Sequence, residues 1–243
     1  MRCWSVAAVG VSVLAGAAAA DVITLNPVAD AFVDSAIPGG NFGGGGGLAV
    51  AAPGLPQGEF QSVMRFDAGP AVAALNASFG AGNWAIQSVS LQLTAAAPNN
   101  PVFNAQAAGQ FAASWMVNDS WVEGTGTPAA PGSTGIMFST LPGFLSAGDE
   151  GLGTFAFNGA TSGASSYALG LTGGFAGDLA AGGLVSVRLA AVGTTIGYVF
   201  NSRNFGTVAA RPALSITATP GPGAGAVLAV GAVVAGRRRR VSR

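Results

Sequence analysis

From Asp21 to about Ala218 the chain is a succession of short apolar runs, each cut off by Gly, Pro, Asn or Asp, and this punctuation constrains the fold more than any other feature. The 39 Gly and 13 Pro are poorly tolerated inside helices, whereas strands joined by tight turns use both residues at their ends. Half of the residues are hydrophobic and 14 are Phe, which gives the chain a core to bury and sets it apart from disordered sequences. Strands are expected at residues 22–25, 29–33, 48–51, 60–66, 84–93, 111–117, 135–138, 154–157, 167–171, 184–190, 196–200 and 213–217. Alternation is clear in several. Val89, Leu91 and Leu93 face one way while Ser90, Gln92 and Thr94 face the other, and Val185, Val187 and Leu189 oppose Leu184, Ser186 and Arg188. Short helices are expected at 71–75 and 175–181. The pattern predicts an all-β, two-sheet β-sandwich of jelly-roll type. No internal repeat supports a propeller or β-helix.

The formal charge is zero, but it sums three unlike regions. Arg2 lies at the start and Arg237, Arg238, Arg239, Arg240 and Arg243 at the end. Between them four arginines face ten carboxylates, a net charge of −6 that excludes a non-specific nucleic-acid binder. The chain has no His and no Lys, and its one cysteine is Cys3. Imidazole-activated nucleophiles, cysteine proteases, Schiff bases, the P-loop lysine and thiolate or imidazole zinc sites are thereby excluded, and no enzyme activity is expected.

Both ends read as address segments. Residues 1–20 carry Arg2, an apolar run and an A-x-A site at Ala18 to Ala20, the layout of a secretory signal peptide for signal peptidase. Without a cysteine beyond Cys3, the mature chain has no disulfide to rely on. At the other end Pro220-Gly221-Pro222 precedes an uncharged Gly/Ala/Val stretch and then Arg237, Arg238, Arg239 and Arg240. A stretch of that length is short for a transmembrane helix, at about 21 Å against the roughly 30 Å of a bilayer core, but with the arginines it would serve as a stop-transfer element. The tail resembles the PEP-CTERM sorting signal of Gram-negative bacteria, with Gly221 in place of its glutamate. That resemblance implies an exosortase-type sorting enzyme as a partner, membrane attachment through the tail before processing, and an exported protein held at the cell surface or released. The expected organisation is a signal peptide at 1–20, one sandwich domain at 21–219 and a sorting segment at 220–243.

Within the middle region, Ala29-Asp30-Ala31-Phe32-Val33, Asn41-Phe42-Gly43, Leu48-Ala49-Val50 and Ser62-Val63-Met64-Arg65-Phe66-Asp67 follow one another in order. Ile86-Gln87-Ser88-Val89-Ser90-Leu91-Gln92-Leu93, the Trp115-to-Gly126 segment with Glu123-Gly124, Phe200-Asn201-Ser202-Arg203-Asn204 and Arg211-Pro212-Ala213-Leu214 come after them. Together they resemble DNRLRE-type domains, related to carbohydrate-binding module family 96, over most of residues 21–219. Asn204 stands where those domains often have Glu. The resemblance implies an extracellular sandwich associated with polysaccharide.

Trp121 and Tyr198 are candidate sugar-stacking residues, Trp121 because it lies in a polar loop after Asn118-Asp119-Ser120; Trp115 reads better as core. Arg65, Arg203 and Arg211 each need a carboxylate or a ligand anion. Structural pairing with Asp67, Asp119 or Glu123 and recognition of a sugar acid are both open. Asp30, Asp34, Asp119, Glu123, Asp149 and Glu150 are hard-oxygen donors that could hold a structural calcium, in no EF-hand or RTX pattern; no other cofactor is expected. The glycine run at residues 43–47 cannot be a Walker loop without a lysine and reads as a flexible connection. The expected function is that of an exported, surface-retained, non-catalytic sandwich associated with extracellular polysaccharide or cell-envelope matrix. A carboxylate-based polysaccharide-degrading enzyme and a purely structural or adhesive surface protein are the alternatives.

Overall fold

A computed structural model describes residues 19–97, 102, 106–160 and 162–221. The apolar run of the leader, Pro222 and the four tail arginines lie outside the described residues. Among the described residues no helix is long and apolar enough to cross a membrane.

The chain folds as an all-β sandwich of two antiparallel sheets. In order, the strands are β1 (Asp21–Leu25), β2 (Ala29–Asp34), β3 (Gly47–Ala51), β4 (Phe60–Asp67), β5 (Trp84–Thr94), β6 (Gly109–Met116), β7 (Glu150–Phe157), β8 (Ala164–Leu169), β9 (Leu184–Val192), β10 (Gly197–Asn201) and β11 (Ala213–Pro220). Helix α1 (Gly69–Phe79) joins β4 to β5, and α2 (Gly173–Ala181) joins β8 to β9. The small sheet runs β1-β11-β5-β8. The large sheet runs β10-β3-β4-β9-β6-β7, with β2 also paired to β4. The sheets are therefore unequal, four strands against seven, rather than the matched halves of an eight-stranded jelly roll.

Alternation decides which residues meet between the sheets. Val89, Leu91 and Leu93 of β5 and Leu214 and Ile216 of β11 face Phe60, Met64 and Phe66 of β4, Phe111 of β6 and Val185, Val187 and Leu189 of β9 in one buried cluster. Tyr198 is 1% exposed in that cluster and stacks on Phe157 with ring centroids 3.7 Å apart.

The first and last strands are neighbours. β1 pairs antiparallel with β11, Asp21 opposite Ala218 and Leu25 opposite Leu214.

The connection from β6 to β7, residues 117–149, is long for a link between adjacent antiparallel strands. It folds back over the outer face of the large sheet. Trp121, Ile136 and Leu141 from this segment pack on Ala29, Ala31 and Val33 of β2, Val63 of β4 and Met116 of β6, forming a second apolar cluster. The stretch 135–138, expected as a strand, lies in this cover. Ile136 is buried and its N–H donates to the carbonyl of Val122, but the stretch joins no sheet. Its apolar spacing reflects packing against a sheet face instead of membership in one.

The glycine run also differs from expectation. Gly43 and Gly45 are buried, and the backbone of the run lies against the 123–126 segment. Gly44 N–H donates to the Gly126 carbonyl, Asn204 Nδ2 to the Gly43 carbonyl and Ser202 Oγ to the Gly45 carbonyl. A Cβ on Gly43 would sit on the Glu123 carbonyl oxygen, and one on Gly126 on the Asn41 carbonyl. The glycines are there so that two backbones can touch.

Candidate functional site

Four chain segments converge beside β2. Asp30 comes from β2, Asn41 and Gly43 from the turn that follows, Glu123 from the 117–149 cover and Ser202, Arg203 and Asn204 from the turn after β10. Asp30 N–H donates to Glu123 Oε1 at 3.0 Å, and Arg203 N–H donates to Asp30 Oδ2 at 2.6 Å. Arg203 Nη1 donates to both oxygens of Glu123, at 3.0 and 2.8 Å. This is the only ion pair among the described residues.

Asn41, fully buried, ties the same segments together through its amide. Its Nδ2 donates to the carbonyls of Glu123 and Ile136, and its Oδ1 accepts from the N–H groups of Gly43 and Gly126. All four bonding positions of the side-chain amide are used. The motif residues that carry the resemblance, Asp30, Asn41, Gly43, Glu123, Gly124, Ser202 and Arg203, meet at this junction.

Burial raises the Asp30 carboxyl to about 7; the Arg203 N–H and the arginine charges oppose that rise, and the neighbouring Glu123 charge adds to it. Asp30 is 0% exposed and its Oδ1 has no hydrogen-bond partner. Asp30 and Glu123 are neighbouring carboxyl groups, but Asp30 is sealed inside the protein, whereas the two acids of glycoside hydrolysis flank a bond held in an open cleft.

The five residues singled out as ligand-binding candidates are engaged inside the protein. Trp121, expected to be exposed because of its polar neighbours, is 1% exposed; its indole N–H donates to Ser186 Oγ at 2.9 Å. Ser120 just before it is exposed while the Asp119 carboxyl turns inward and the indole closes over the large sheet, so neither ring face is open to a sugar. Tyr198 is a core ring, and burial raises its phenol above the ordinary range. Arg65 lies over the Trp121 ring at 4.7 Å, and its Nη1 donates to the carbonyls of Asp119 and Trp121. It meets carbonyls and an aromatic face where a carboxylate was expected. Arg203 takes the pairing with Glu123, and Arg211 donates from Nε to the Phe205 carbonyl at 2.8 Å.

Of the calcium candidates, Asp30 and Glu123 are brought together from distant parts of the chain. Among the described residues no three His, Cys, Asp or Glu gather as a metal site. Asp34 Oδ1 accepts from Ala36 N–H in a turn, and Asp149 accepts from Val117 and Ser146 N–H groups. Glu150, at the start of β7, instead accepts from Gly174 and Phe175 N–H, the first free donors of α2. Replacing Glu150 with Gln is expected to fray that end, seen as faster hydrogen exchange at Gly174 and Phe175 with little change at the sheet amides.

No family model matches the chain, and no curated protein matches it. Sequence reasoning held Asn41 only as part of a resemblance motif and took the close-packed glycines for a flexible connection. The Asn-Phe-Gly run at 41–43 and the Glu-Gly-Thr-Gly run at 123–126, small residues on both contacting segments, are the signal that could have found them.

Proposed function

We propose that this chain is an exported, surface-retained, non-catalytic scaffold protein of a polysaccharide-containing cell envelope or extracellular matrix. The observation that carries the reading is where its few reactive side chains go. In a domain with only four arginines, Arg65, Arg203 and Arg211 all bond to the protein itself, and the acid with the most displaced titration is buried against Glu123 and Arg203. Side chains of this kind hold loops onto a rigid sandwich. Export is supported by the leader and tail sequences, and a polysaccharide setting by the ordered motifs that resemble DNRLRE-type domains. Association with the matrix then runs through sheet surfaces rather than through an aromatic platform.

Cell fractionation tests this reading. The intact chain is expected with the envelope or outside the cell, and removal of residues 223–243 is expected to move it into the medium. Recovery of the full chain from the cytoplasm would overturn the proposal.

A further inference from the structure

Arg188 projects from the outer face of the large sheet with only its Nε hydrogen-bonded among the described residues, and we propose that it anchors a site for the oxyanion groups, carboxylate or sulfate ester, of an acidic polysaccharide on that face. This deepens the scaffold reading above and rests on it.

Arg188 sits in β9 on the face opposite Val187 and Leu189, and so points away from the main core. Its Nε donates to Gln61 Oε1 at 2.8 Å, and Gln61 Nε2 in turn donates to Glu59 Oε1 at 2.7 Å. Gln61 is itself 8% exposed, so the relay holds the guanidinium from behind. Neither Nη group has a hydrogen-bond partner among the described residues, and neither is completely enclosed, although the side chain is half-buried. They form the open end of a fork matched to two oxygens of one anion.

Two acids bear on this cation, Glu59 and Asp149, and neither reaches it as an ion pair. Glu59 Oε1 accepts from Gln61, and the Asp149 oxygens accept from the Val117 and Ser146 backbones. Burial shifts the Arg188 guanidinium downward from its ordinary range, the mark of a cation partly stripped of water. Such a group gains more from an incoming anion than one fully hydrated on an open surface.

The surroundings suit a polymer. Ser114 of β6 lies directly across from Arg188, and the adjoining row of the sheet continues through Ala190, Ala112 and Thr154. These side chains are small and uncharged, so a chain of sugar rings can lie flat with hydroxyls within reach. The −6 charge of the middle region repels a polyanion in general. Attraction must therefore be local, and removing one cation should be decisive.

The test is affinity electrophoresis of the folded, full mature chain through gels holding polygalacturonate, dextran sulfate or neutral dextran. Retardation by a charged polymer and not by dextran is expected. Arg188→Gln should weaken it by about tenfold, as expected for loss of a charge-assisted pair, and Gln61→Leu by a smaller factor, since Gln61 only positions the fork. Ser114→Glu places a carboxylate across from the fork and should abolish retardation without removing the arginine. Retardation by polygalacturonate alone identifies the carboxylate, and by dextran sulfate alone the sulfate ester. Equal retardation of folded Arg188→Gln or Ser114→Glu and the wild type would overturn the site, as would a wild type that neither charged polymer retards. An envelope location together with that negative result would remove the site while leaving the scaffold reading, whereas a cytoplasmic location would remove the reading itself.

Discussion

Substituting alanine for Gly43 is expected to destabilise the domain by about 4 kcal/mol, at the upper end of single-residue effects, with a large fall in the urea midpoint and in soluble yield. The added Cβ meets the Glu123 carbonyl, which is backbone and has no rotamer through which to escape. Neither segment can retreat freely. Asn41 holds both to the buried carbonyl of Ile136, and Asn204 holds Gly43 from the other side. Gly46 makes the matching control, because nothing lies within 4 Å of a Cβ there and alanine should change the midpoint little. If Gly43→Ala unfolds at the wild-type midpoint, the close approach of these backbones is not what closes the sandwich on this side.

The domain is also expected to lose stability as the pH rises toward and through neutrality. In the unfolded chain Asp30 releases its proton near 3.8, whereas in the folded one it holds it to about 7. Between those values the folded state carries a proton that the unfolded state lacks, so each unit of rising pH works against folding. At about 1.4 kcal/mol per unit, Asp30 alone accounts for up to about 4 kcal/mol, fully present in acid and gone above 7. Burial raises the Asp34 and Asp119 carboxyls as well, which adds to the slope in the same direction. Urea unfolding at pH 5 and pH 8 should show a clear drop in the midpoint. Asp30→Asn keeps an oxygen for the Arg203 N–H and removes the titration; it should flatten the profile and be the more stable protein at pH 8. A profile that Asp30→Asn leaves unchanged would place the titration elsewhere.

How much of this was legible beforehand follows from what alternation can and cannot report. Strands such as β5 and β9 were readable because each has one face on a core, and Val89, Leu91 and Leu93 mark it directly. Helices α1 and α2 were readable as short runs between Gly and Pro. Sequence periodicity does not say whether the polar face of a sheet is bare or roofed. Ile136 therefore passed for a strand residue, and Trp121, preceded by Asn118-Asp119-Ser120, for an exposed one, when both belong to a loop laid over β2 and β4. The same blindness hid Arg188. Its register placed it on the outward face with Ser186, and only the folded chain shows Ser186 covered by Trp121 while the Nη groups two residues on remain open.

β1 finds its hydrogen-bonding neighbour in β11, with Thr24 Oγ1 and Ser215 Oγ meeting across 191 residues of sequence, so β1 cannot join the small sheet until β11 is present. During synthesis β1 emerges well before β11. Throughout that interval the nascent segment has an unzipped edge, and any holding factor would have to shield it. Closure of that sheet edge must therefore wait for a partner far along the chain, a high-contact-order topology that favours slow folding.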